Sequence, residues 1–148
     1  MPNFSSILDR KASTIEEPKP FPVGTYLVLL QGQPIRGESS QKKTEYWDFP
    51  SKILQPQSDV SQEEIEKFGG VQGKELKGRG GLRFYITEES AYRMKEFLTE
   101  HLGIDEGEKT MREMLAEAPG KQVYVTISHQ PSDDGKRIYS QVVSTARV

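Results

Sequence analysis

Cysteine is absent from the 148-residue sequence, which excludes disulfides, thiolate nucleophiles and zinc sites with thiolate ligands. That absence agrees with a reducing compartment. No apolar run approaches the roughly 18 to 20 residues that cross a bilayer as a helix, and residues 1–10 lack the apolar middle of a signal peptide. The expectation is a cytoplasmic protein with no membrane partner. Charge of one sign is lacking too. A net charge of −2 is far from the basic balance of a protein that binds duplex DNA over its whole surface, so any anion site must be local. Histidine is scarce, His101 and His129 being the only two. With no neighbouring cysteine or paired carboxylate pattern, both are expected at the surface rather than on a metal.

The hydrophobic share is low at 34% and the charged share somewhat high at 28%, so one core is expected with tails and long loops outside it. Residues 1–22 combine Ser5-Ser6, Asp9-Arg10-Lys11 and Glu16-Glu17 with Pro18, Pro20 and Pro22, the composition of an extended arm. Phe4, Ile7 and Leu8 within it have helix-compatible spacing and could dock on the body or on a neighbouring subunit. The pattern changes at Val23-Gly24, where residues 25–30 (TYLVLL) read as a first strand whose continuous apolar run implies burial on both faces. Gly32, Pro34 and Gly37 allow bends, and residues 38–43 read as a polar turn. A second strand is expected over 44–49, continuing past Pro50 to Leu54, with Trp47, Phe49, Ser51 and Ile53 on one face and Tyr46 and Asp48 on the other.

Residues 55–81 form an insertion. An acidic piece begins at the helix cap Ser61 with Glu64 three positions later. Glycines then crowd residues 69–81, a density expected to leave a mobile loop without a core. The third strand is 82–86, and Thr87 caps a helix whose apolar stripe is Ala91, Met94, Phe97, Leu98 and Leu102, stopped by Gly103. A further amphipathic piece spans 108–118. Strands four (122–128) and five (137–144) flank the turn signal Asp134-Gly135. A mainly β chain with helices, ordered strand, strand, strand, helix, strand, strand, fits the five-stranded OB-type barrel, in which the helix plugs one end. The domain expectation is an arm at 1–22 and a barrel at 23–148 with its loop insertion at about 55–81.

Catalytic patterns are not met. Glu63, Glu64 and Glu66 read as a solvated helical face, as do Asp133-Asp134 for their turn. The run from Gly69 to Lys74 lacks the phosphate-loop spacing, because Phe68 and Glu75 occupy the places of the first glycine and the hydroxyl residue. No enzymatic activity, cofactor or metal is expected. What remains is an aromatic and basic grouping: Tyr46, Trp47 and Phe49 before the insertion, Phe84 and Tyr85 after it, and Lys74, Lys77, Arg79 and Arg83 along it, with Lys42 and Lys43 in the preceding turn. Single strands are bound by flat side chains that stack on bases and by cations that follow the phosphates. The candidate nucleic-acid-binding set is therefore Lys42, Lys43, Tyr46, Trp47, Lys74, Lys77, Arg79, Arg83 and Tyr85. Strand periodicity favours the core for Trp47 and Phe49 and the outer face for Tyr46 and Tyr85.

Phe4-Ser5-Ser6-Ile7-Leu8-Asp9-Arg10, Pro18-Lys19-Pro20 and Pro22-Val23-Gly24-Thr25-Tyr26 resemble a group of small phage and prophage proteins. Gly120-Lys121 and the Asp134-Gly135 turn are similar to phage single-stranded DNA-binding proteins of OB type. The resemblance implies a non-enzymatic, host-cytoplasmic protein of phage replication or recombination. Its implied partners are single-stranded DNA, with RNA as the variant, and either further copies of itself or replication and recombination proteins. One departure is the ending Ser144-Thr145-Ala146-Arg147-Val148, where many such proteins carry an acidic recruiting tail. The competing expectation is a protein-interaction or virion assembly component that docks through its N-terminal arm.

Overall fold

Alternation of burial organises the first strand, β1 (Gly24–Leu30): Gly24, Tyr26, Val28 and Leu30 are buried, while Thr25, Leu27 and Leu29 are half-buried. The run expected to be covered on both faces thus has one fully covered face. A computed structural model of the chain describes residues 20–40, 43–76, 81–132 and 134–148. After β1 come β2 (Ile35–Glu38), β3 (Glu45–Phe49), β4 (Ser51–Pro56), α1 (Gln62–Phe68), β5 (Glu75–Leu76) and β6 (Leu82–Tyr85). Then follow α2 (Glu88–Glu96), a π-helical turn (Phe97–His101), α3 (Met111–Ala116), β7 (Gln122–Pro131) and β8 (Ile138–Ala146).

The strands pair as β5-β4-β1-β7-β8 and as β2-β3-β6. Because β1 leads into β2 and β3 into β4, two neighbouring strands each pass from one sheet to the other, and the whole is a curled antiparallel sheet with a few helices. The single strand expected through Pro50 is therefore two strands in two sheets. Pro50 cannot donate to a ladder, and its carbonyl instead accepts the Gln31 N–H at 2.8 Å, at the point where both strands bend. The bends expected near Pro34 and Gly37 contain β2, a strand that no apolar alternation announces.

A second correction concerns the glycine-rich insertion. Val71 and Leu76 are each only 2% exposed and belong to the core, so the described part of the segment, through Leu76, is not without a core. It is held by backbone bonds from Gly73 N–H to the Ile53 carbonyl (2.8 Å) and from Ile53 N–H to the Lys74 carbonyl (2.9 Å), and β5 pairs with β4. The helices start where side-chain caps predict. Ser61, Thr87 and Thr110 each accept a backbone N–H three residues on, from Glu64, Ser90 and Glu113. Met94, Phe97, Leu98 and Leu102 from the expected stripe are buried, Ala91 half-buried. Phe97 sits under the three-stranded sheet, with ring centroids 5.2 Å from Phe49 and 4.9 Å from Phe84.

Of the arm, residues 1–19 lie outside the described residues, including Phe4, Ile7 and Leu8. Its last residues are anchored. Phe21 packs on Phe68 of α1 at 4.9 Å, and its carbonyl accepts His129 Nε2–H at 2.7 Å. Tyr26 donates its hydroxyl to the Pro22 carbonyl at 2.6 Å from a fully buried ring. Burial, aided by the negative charge of Asp59, pushes the Tyr26 hydroxyl pKa up to about 12. Its folded-state pKa thus exceeds the unfolded value near 10, so its contribution is complete below pH 10 and is lost as pH rises towards 12. Tyr26→Phe is expected to cost about 1 kcal/mol at neutral pH, and chemical denaturation at pH 8 and 11 should show the native chain losing more stability between the two than the variant.

Candidate nucleic-acid interface

The three-stranded sheet sorts its residues by parity. Across β3 and β6 the opposed pairs are Tyr46 with Tyr85, Trp47 with Phe84, Asp48 with Arg83 and Phe49 with Leu82. Phe49 and Leu82 are buried, and Trp47 and Phe84 are partly buried against the same core, so the opposite face carries Tyr46, Asp48, Arg83 and Tyr85. On β2, Gly37 lies opposite Tyr46 and Ile35 opposite Asp48.

On that outer face the side chains form one connected unit. Arg83 donates from Nε to Asp48 Oδ1 at 2.7 Å and from Nη2 to Asp48 Oδ2 at 3.0 Å, a bidentate pair whose side chains are only 17% and 13% exposed. Its guanidinium carbon stands 3.8 Å from the centre of the Tyr46 ring, within the range of a cation–π contact. Tyr85 meets Tyr46 edge-on at 5.9 Å. The hydrogen bonds to Asp48 hold the Arg83 pKa above its usual value, against the effect of burial, and Tyr85 adds to it. Gly37 completes the arrangement: a Cβ at this position would run into the Tyr46 ring, so only glycine lets that ring lie against β2.

Tyr46, Arg83 and Tyr85 of the sequence-derived set therefore converge. Trp47 does not join them; its ring packs against the core from the opposite face. Lys74 is apart as well, lining an open hollow of about 310 Å³ with Pro56, Gln62, Ile65 and Val71. Lys43 is exposed in the turn between β2 and β3 with a left-handed φ of 56°, where its N–H donates to the Ser39 carbonyl at 3.1 Å. Lys42, Lys77 and Arg79 lie outside the described residues.

The described part of the expected basic grouping is Lys74, Arg83 and Lys43, with Glu75 the acid beside Lys74. Around this sheet the described cations Arg36, Lys43 and Arg83 are matched in number by Glu38, Glu45 and Asp48. Arg36 also pairs directly with Glu45 at 2.7 Å. His101, expected at the surface, is half-buried, with its ring against Phe97 and its Nδ1 hydrogen-bonded to the Thr145 hydroxyl. Among the described residues no group of three or more His, Cys, Asp or Glu is placed to hold a metal, and no helix is long and apolar enough to cross a membrane.

Sequence reasoning passed over Tyr139, which is 50% exposed on β8 opposite Gln130. The run Lys136-Arg137-Ile138-Tyr139 directly after the Asp134-Gly135 turn was the available signal: two cations followed by an aromatic residue on a hairpin. No known protein family matches the chain, and no curated protein is found to be similar to it.

Proposed function

We propose that this is a non-enzymatic single-stranded DNA-binding protein of OB type, serving phage or prophage replication or recombination, with the strand lying across the outer face of β2, β3 and β6. One observation carries the reading: Tyr46, Arg83 and Tyr85, from two strands far apart in sequence, are assembled on one solvent-facing sheet surface. Tyr85 is 39% exposed and is the most exposed ring of the group. Arg83 and Asp48 brace the Tyr46 ring beside it.

The strand pairing supports the OB reading. β1 with β2 forms one long bent hairpin against β3 with β4, β6 adds to it, a helix follows, and β7 returns alongside β1 before its hairpin with β8. In such barrels the corresponding face is the usual oligonucleotide surface. Because Arg83 is neutralised by Asp48, the phosphate contacts fall to Lys42, Lys43, Lys77 and Arg79. Four such contacts give a slope of about −3 in log affinity against log salt for a single strand. Fluorescence anisotropy with a labelled oligothymidylate over a salt series tests this. Binding at low salt with that slope supports the reading, and absence of binding at low salt rejects it.

A further inference from the structure

Ile35 is 57% exposed on the outer face of the three-stranded sheet, directly across from Asp48. It adds nothing to the core. β2 is an edge strand of that sheet and otherwise carries Arg36 and Glu38, the charged residues that such a strand usually prefers. An apolar side chain at this place needs a reason.

The pairing register sets Ile35 and Tyr85 at opposite corners of a small grid, in which one row across the strands is Ile35, Asp48 and Arg83 and the other is Gly37, Tyr46 and Tyr85. Two strand spacings and one two-residue step separate those corners, about 12 Å. The side chains between them are engaged with one another. The Tyr46 ring lies where a Cβ on Gly37 would be and holds the Arg83 guanidinium 3.8 Å from its centre, while Arg83 grips both oxygens of Asp48. The face thus offers an exposed apolar contact at each of two corners, over a floor whose charges cancel. Phosphate gains nothing from such a floor, whereas the flat apolar surface of a base gains from both corners.

Resting on the single-strand reading above, we propose that Ile35 is a second base-contacting residue, and that the strand crosses the sheet diagonally from Ile35 to Tyr85 with its bases towards the sheet. The gap of about 12 Å is several times the roughly 3.4 Å rise of a stacked base. Ile35 and Tyr85 therefore hold different nucleotides of one strand. The contact at Ile35 is made by dispersion and exclusion of water, with no hydrogen bond to a base edge, so it tolerates any base.

Anisotropy titration of the full chain with a labelled oligothymidylate tests this through two variants. Ile35→Thr keeps the β-branched shape on an exposed strand but removes apolar surface, and is expected to weaken binding about 3- to 10-fold at unchanged melting temperature and unchanged salt slope. Ile35→Trp enlarges the platform and is expected to tighten binding about 3- to 10-fold. Its added indole should be quenched by stacked bases, against the native chain as control, in which Trp47 packs on the core from the opposite face. Ile35→Thr binding as tightly as the native chain overturns the proposal, as does Ile35→Trp emission that does not move at saturating oligonucleotide. If Tyr85→Ala still loses affinity in that case, the single-strand reading stands without Ile35. A native chain that binds no oligothymidylate at low salt removes that reading and this inference with it.

Discussion

Phe97→Ala is expected to lower the unfolding free energy by about 3–5 kcal/mol, the range for truncating a buried aromatic residue. Phe97 is 1% exposed and is the contact shared by Phe49, Phe84 and His101. It lies where the helix that follows β6 meets the inner face of the three-stranded sheet, so its removal opens a cavity that β3 and β6 cannot both collapse into. That loss approaches the whole stability of an ordinary domain. Urea denaturation followed by Trp47 fluorescence measures it, since Trp47 packs against the same core. Phe97→Leu, which keeps much of the volume, should recover a large part of the loss. If Phe97→Ala unfolds at the native midpoint, the helix does not pack under the sheet as described.

Arg83→Met is expected to cost about 1.5–3 kcal/mol, the range for hydrogen bonds to charged groups. The variant keeps the length and packing of the arginine stem but leaves the Asp48 carboxylate, 9% exposed, without its bidentate partner. Asp48→Asn in the same chain should restore part of that stability, because the carboxylate that needs the arginine is then gone. The salt dependence of nucleic-acid binding should change little in Arg83→Met, since Asp48 already cancels the charge. A marked flattening of the salt slope in this variant would instead show that Arg83 reaches phosphate and that its pairing with Asp48 breaks on binding.

Local chemistry made some elements legible. Thr25 to Leu30 needed only β propensity, and Thr87 announced its helix because a cap and its acceptor geometry are encoded within four residues. The parity of β3 was equally readable, so Tyr46 and Tyr85 were placed correctly away from Phe49 and Phe84. Long-range features escaped. Asp48 reads as an outward-facing acid, and only Arg83, 35 positions later, makes it a largely buried one. The strand β2 carries no apolar alternation, and its third residue, Gly37, is kept small by the Tyr46 ring that crosses it. Glycine density in the insertion suggested an absent core, yet Val71 and Leu76 are isolated apolar residues each fixed by pairing of the surrounding backbone with β4. Glu45 and Asp48 likewise meet their cations across strands, pairings that counting charges along the chain does not register.

The account rests on the outer face of β2, β3 and β6 as the surface that stacks bases. Tyr85 tests it most directly, because its ring is exposed and its removal leaves the core intact. Anisotropy titration of one labelled oligothymidylate against the native chain and Tyr85→Ala, with melting curves of both, should show affinity falling about 5- to 150-fold, the loss of one stacked base, at nearly the same melting temperature. Equal affinity of the two proteins would contradict the account.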